Sequence, residues 1–163
     1  MRFMKTLMIL SALLPVMAVS QLVPKTYSLN DGALYVKEKT NLRGNLGLET
    51  GYSVPLASHG NVSLSGNVAF VQNVNNLFGD TSWTVGLAAG YRLNSAWSVY
   101  TKTATNLTGT WTQETGVRIN ILRTKNYSVT ANTGYVFSYP FKNGERPNWT
   151  TGLTVSFPVR FLK

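Results

Sequence analysis

WTTGLTVSFPVRF, residues 149–161, alternates along its whole length. Trp149, Thr151, Leu153, Val155, Phe157, Val159 and Phe161 form one set, apolar or aromatic but for the single Thr. Thr150, Gly152, Thr154, Ser156, Pro158 and Arg160 form the other. Successive strand side chains point to opposite faces, so the stretch is a strand with one greasy face and one small, polar face. About 13 residues at roughly 3.3 Å each, tilted near 45°, just cross a bilayer core of about 30 Å.

Working back along the chain, the same object recurs. The alternation predicts strands over 33–39, 45–54, 61–72, 83–93, 97–105, 111–121 and 127–137, the first being the weakest. Leu46, Leu48, Thr50, Tyr52 and Val54 oppose Gly47, Glu49, Gly51 and Ser53. Trp83, Val85, Leu87, Ala89 and Tyr91 oppose Thr84, Gly86, Ala88, Gly90 and Arg92. Period-2 alternation repeated this often, with turn residues between, predicts an all-β barrel or sandwich. Trp-Thr opens even-numbered strands at 83, 111 and 149, and Asn61-Val-Ser-Leu resembles Asn126-Tyr-Ser-Val at the start of odd ones. These words suggest a hairpin unit used more than once.

Ahead of the strands, Arg2 and Lys5, an apolar run from Leu7 to Ala18 and Ala18-Val19-Ser20 make a secretory signal, cleaved after residue 20. The run is too short for a membrane span. Residues 21–32 are a polar lead-in, and 33–163 form the barrel domain. The chain has no cysteine, so no disulfide framework or thiolate metal site is available. The formal charge is +9, but an exported chain without a nucleic-acid motif points away from nucleic acid.

Two eight-stranded barrels fit such a pattern, and they differ in which face is wet. Charged residues make up only 13% of the chain, and the polar faces are mostly Gly, Ser, Thr, Asn and Ala. A solvated face carries more Lys and Glu, whereas small residues suit the crowded inside of a narrow barrel. The greasy face then lies outside, against lipid. With both termini on the periplasmic side, Trp83, Trp111, Trp149, Phe70 and Phe137 fall at the outer interface. Tyr52, Tyr91, Trp97, Tyr127 and Phe161 fall at the inner one. Two aromatic girdles are expected of a transmembrane barrel.

In this pattern the chain resembles the small eight-stranded outer-membrane proteins of Gram-negative bacteria, the class of OmpX and the OmpA membrane domain. The resemblance covers about 33–161. It implies an antiparallel up-and-down barrel in the outer membrane. Phe157-x-Val159-x-Phe161 is similar to the terminal strand that the outer-membrane assembly machinery reads, although Leu162 and Lys163 follow the last aromatic.

Candidate chemistry is sparse. Glu49, Lys102, Glu114 and Arg118 fall on lumen-facing positions near mid-height and are expected to pair, because a lone charge in a narrow interior is costly. Lys39, Arg43, Lys142 and Arg146 are expected in the outer loops, where they would meet lipopolysaccharide phosphates. His59, the only histidine, lies in the turn LASHGN with no carboxylate assigned nearby, so catalysis is not expected. No metal cluster or phosphate loop appears, and no cofactor is expected. The sequence reading is a non-catalytic structural, barrier or lipopolysaccharide-interacting protein. Its alternatives are a narrow porin-like channel and a soluble exported ligand-binding barrel.

Overall fold

A computed structural model describes residues 31–41, 46–73, 82–139 and 148–159. The expected signal, most of the lead-in, Arg43, Lys142, Arg146 and Phe161 lie outside them. Eight strands follow in order: β1 Ala33–Asn41, β2 Leu46–His59, β3 Val62–Asn73, β4 Ser82–Arg92, β5 Trp97–Asn106, β6 Trp111–Arg123, β7 Ser128–Tyr139 and β8 Asn148–Pro158. Each pairs antiparallel with its chain neighbours, and β1 pairs with β8 to close the barrel. Closure leaves no free sheet edge.

The connections differ at the two ends. At one end β2–β3, β4–β5 and β6–β7 are joined by residues 60–61, 93–96 and 124–127; the longest connections, 74–81 and 140–147, stand at the other. The start of β1 and the end of β8 belong to the short-turn end. Gly60 takes φ +55° in the two-residue turn, which a Cβ would strain. Asn94 Oδ1 accepts from the backbone N–H of Ala96 and Trp97, at 2.9 and 2.8 Å. Such short polar side chains close turns on themselves.

The strands are strongly staggered. Ala33 lies opposite Ser53, Ser53 opposite Asn67, and onward through Gly86, Ala104 and Thr112 to Ser138. That row of partners begins at the first residue of β1 and ends beside the last residue of β7, so it climbs from one rim to the other. Stagger of this kind requires tilted strands. β2 also runs on past the expected end at Val54. Its register with β3 shifts between Pro55 and Ala57, leaving Leu56 as a bulge. The bulge inverts the alternation, which is why period-2 reading stopped there. Tyr52 therefore sits mid-strand in β2, opposite Leu34, rather than at a strand end. Pro158, which cannot donate to a ladder, is the last residue of β8 and stands at the rim.

Burial is inside out. The buried apolar residues among those described are Tyr35, Tyr100 and four alanines, Ala57, Ala69, Ala89 and Ala104. The buried polar ones include Lys37, Lys39, Glu49, Asn67, Glu114 and Asn132. Leu87 is 54% exposed and Trp83 is 53% exposed, with Val85, Trp111, Trp149 and Leu153 similarly open. A water-soluble monomer does not expose apolar surface on this scale. Trp83, Trp111 and Trp149 stand at the long-loop end, where Phe70 and Trp83 rings lie 5.4 Å apart and Tyr135 and Trp149 5.7 Å apart. Phe137 is half-buried among them. Tyr91, Trp97 and Tyr127 are exposed at the short-turn end, with Phe157.

The barrel is a doubled object. Tyr35-x-Lys37, Thr40-Asn-Leu-x-Gly44 and Glu49-Thr-Gly51 recur 65 residues later as Tyr100-x-Lys102, Thr105-Asn-Leu-x-Gly109 and Glu114-Thr-Gly116. The same offset carries Asn61, Ser63 and Asn67 onto Asn126, Ser128 and Asn132. It also carries the bulge at Leu56 onto Ile121, where β6 shifts register against β7. Strands β1–β4 and β5–β8 are thus two copies of one four-stranded half.

Candidate functional site in the lumen

The site is built from the inward positions of β1, β2, β5 and β6. Leu34, Val36 and Glu38 of β1 point outward and are exposed, so Tyr35, Lys37 and Lys39 point in and are buried. Across the hairpin, Tyr35 O–H donates to Glu49 Oε1 at 2.6 Å. In the second half, Tyr100 O–H donates to Glu114 Oε1. Each tyrosine lies fourteen residues before its glutamate.

Glycine makes room for both rings. A Cβ on Gly51 would stand 2.8 Å from the Tyr35 hydroxyl and 2.6 Å from the Val68 carbonyl oxygen. A Cβ on Gly134 would stand 3.1 Å from the Tyr100 hydroxyl. The lumen glycines at these positions therefore admit an aromatic side chain rather than leave a void.

The ion pairs cross between halves. Lys37 Nζ donates to Glu114 Oε1 at 3.0 Å, and Lys102 Nζ donates to Glu49 Oε1. Lys39 Nζ bonds Glu114 Oε2 and lies 3.8 Å from Glu49 Oε2. Glu49 is 5% exposed and Glu114 is 3% exposed. Three ammonium groups, two carboxylates and two phenols thus fill the waist of the barrel. Groups so deeply withdrawn from water are tolerable only when paired and hydrogen-bonded.

Of the expected network, Glu49, Lys102 and Glu114 meet in this cluster. Arg118 does not pair with a carboxylate among the described residues; its guanidinium carbon lies 4.9 Å above the Tyr100 ring. Lys39 corrects the outer-loop expectation. β1 continues to Asn41, and its odd-numbered residues face inward, so the ammonium is held in the lumen. Lys37, Tyr35 and the role of Tyr100 were missed, and the 65-residue repeat is the signal that marks them. His59 stands exposed at the end of β2.

The cluster divides the lumen. Towards the long-loop end lies a cavity of about 60 Å³, lined by Lys39, Glu49, Lys102, Glu114 and hydroxyl groups such as Thr84 and Thr112. Towards the short-turn end lies one of about 280 Å³, lined by Lys37, Arg118, Asn67, Asn120, Ser53 and other Ser and Thr side chains. Glu49 and Lys102 line both.

No protein-family model matches the chain, and no curated protein matches it in sequence. Solved structures do. The chain is similar to the designed barrel TMB2.3, solved by solution NMR, at 10% identity and a TM-score of 0.53, over 79% of this chain and 94% of that one. A second structure, from a study of de novo design of transmembrane β-barrels, aligns at 12% identity and a TM-score of 0.48, over 82% and 99% of the two chains. Neisserial surface protein A aligns at 16% identity and a TM-score of 0.38, over 80% and 94%. At these identities the likeness to the first concerns the fold alone. Together with the inside-out burial, it makes the chain a membrane β-barrel of eight strands.

Proposed function

We propose that this chain is a non-catalytic outer-membrane barrel, exported by its N-terminal signal, whose lumen is sealed. It serves as a structural and barrier element that meets lipopolysaccharide at its long-loop end. The observation that carries this reading is the charged waist, where Lys37, Lys39 and Lys102 close on Glu49 and Glu114. Short turns at one end and longer connections at the other match the periplasmic and extracellular ends of outer-membrane barrels. Arg43, Lys142 and Arg146 remain the lipopolysaccharide candidates, Lys39 being occupied inside. Phe157 and Val159 offer the assembly machinery its terminal pattern. A soluble ligand-binding barrel would need its apolar faces inside, where this one holds charge.

Planar-bilayer recording on the folded protein tests the seal. The wild type is expected to give no steady conductance. Regular open channels in the wild type would overturn the barrier reading. A conditional narrow path is the second reading, favoured by the two cavities that share Glu49 and Lys102 in their walls. It predicts channels only after Glu49→Ala combined with Lys102→Ala.

A further inference from the structure

Three of the described cations in the second half have no cationic counterpart in the first. Arg118, Arg123 and Lys125 of the second half occupy the positions of Ser53, Ser58 and Gly60 in the first. The first half forms the equivalent strand end, bulge and turn without them.

All three lie on one side of the vestibule at the short-turn end. Arg118 lines the cavity of about 280 Å³ beneath the waist. Arg123 and Lys125 line an adjoining cavity, also about 280 Å³, together with Thr124, Tyr127 and Pro158. Asn120 and Ser128 belong to both walls, so the two spaces adjoin along this side. Arg123 pairs with Ser128 in the inward phase of the strands, which aims it at the barrel mouth rather than at lipid.

The surroundings add positive charge and hydroxyl donors. Lys37 and Lys102 form the ceiling, and Arg92 ends β4 at the same rim. Of the described carboxylates, Glu49 alone lines either cavity, and Tyr35, Lys102 and Lys39 already hold it. Glu114 is held by Lys37, Lys39 and Tyr100. Asp31 stands at this rim before β1. Among the described residues none of Arg118, Arg123 and Lys125 forms an ion pair.

We infer that this vestibule is a binding site for a phosphate-class oxyanion, held by the Arg118 and Arg123 guanidinium forks and the Lys125 ammonium. Planar guanidinium groups match phosphate oxygens in pairs, and half-buried Arg118 is less screened by water than a surface cation. The inward phase of Arg118 and Arg123 selects a water-soluble phosphate entering from the short-turn end over a lipid headgroup. The site lies below the seal and needs no passage through it.

The test is calorimetric titration of inorganic phosphate into the folded full-length protein in non-ionic micelles. The partner variant is R118S/R123S/K125G, which copies the residues of the first half and so keeps the barrel foldable; K125G alone is the milder companion. The wild type is expected to bind phosphate with saturation, and the triple variant at least about tenfold more weakly, with K125G between them. Adding phosphatidylglycerol to the micelles is expected to leave phosphate affinity unchanged. Absence of binding in the wild type, equal binding in the triple variant, or displacement of phosphate by phosphatidylglycerol would each overturn the inference.

Discussion

At the scale of single residues, Glu114 is the member of the waist on which most depends. It receives Lys37, Lys39 and Tyr100 at once. Glu114→Ala leaves two buried ammonium groups facing one another, and breaking a buried pair this way costs about 3–5 kcal/mol. Urea unfolding in vesicles should show a loss of that order. A loss below about 1 kcal/mol would mean that the cluster is hydrated and adds little. The glutamates, Lys102 and their lumen positions were legible because their strands alternate cleanly. Lys37 and Lys39 were not. A lysine near a strand end ordinarily reaches water, and only carboxylates from distant strands make its burial possible. Arg118 was expected among the lumen charges and lies over the Tyr100 ring, since nothing local distinguishes a carboxylate from an aromatic ring as the seat for a guanidinium.

At the scale of elements, glycine sets how closely strands approach. A Cβ at Gly116 would meet the Thr133 carbonyl oxygen and lie 2.6 Å from Gly134 Cα, forcing β6 from β7. A Cβ at Gly66, facing outward, would have its nearest neighbour, Leu56 Cδ1, at an ordinary 3.5 Å. Gly116→Ala is therefore expected to lower the unfolding midpoint on heating clearly, and Gly66→Ala to leave it unchanged or raise it slightly. Equal effects would contradict the packing described. Seven of the eight strands were legible to within a few residues, because alternation runs through nearly all of each; in β6 the bulge at Ile121 falls only two residues before the strand's end. β2 was cut short, since one bulged residue inverts the faces and looks in sequence like the end of a strand. The doubling of the barrel was visible only as scattered words until the shared tyrosines, glutamates and bulges were aligned in space.

At the scale of the whole molecule, the chain exchanges the usual places of oil and water. A conventional core would bury Leu87, Val85 and Leu153; here they form the exterior, and lysine and glutamate occupy the centre. Only a hydrocarbon solvent makes that arrangement favourable, because outside water would charge roughly 25 cal/mol for every square ångström of apolar surface left open. The absence of native cysteine allows single labels to be placed cleanly. The most direct measurement is spin-label accessibility in reconstituted vesicles, with one cysteine at a time at Val85, Leu87, Leu153, Asn67 and Thr154. Labels at Val85, Leu87 and Leu153 should be relaxed strongly by oxygen, which concentrates in lipid, and weakly by a water-soluble nickel chelate. Those at Asn67 and Thr154 should lack the strong oxygen response. If the first three instead report the chelate, or are silent to both agents as in a dry protein core, the greasy face does not meet lipid and the account fails.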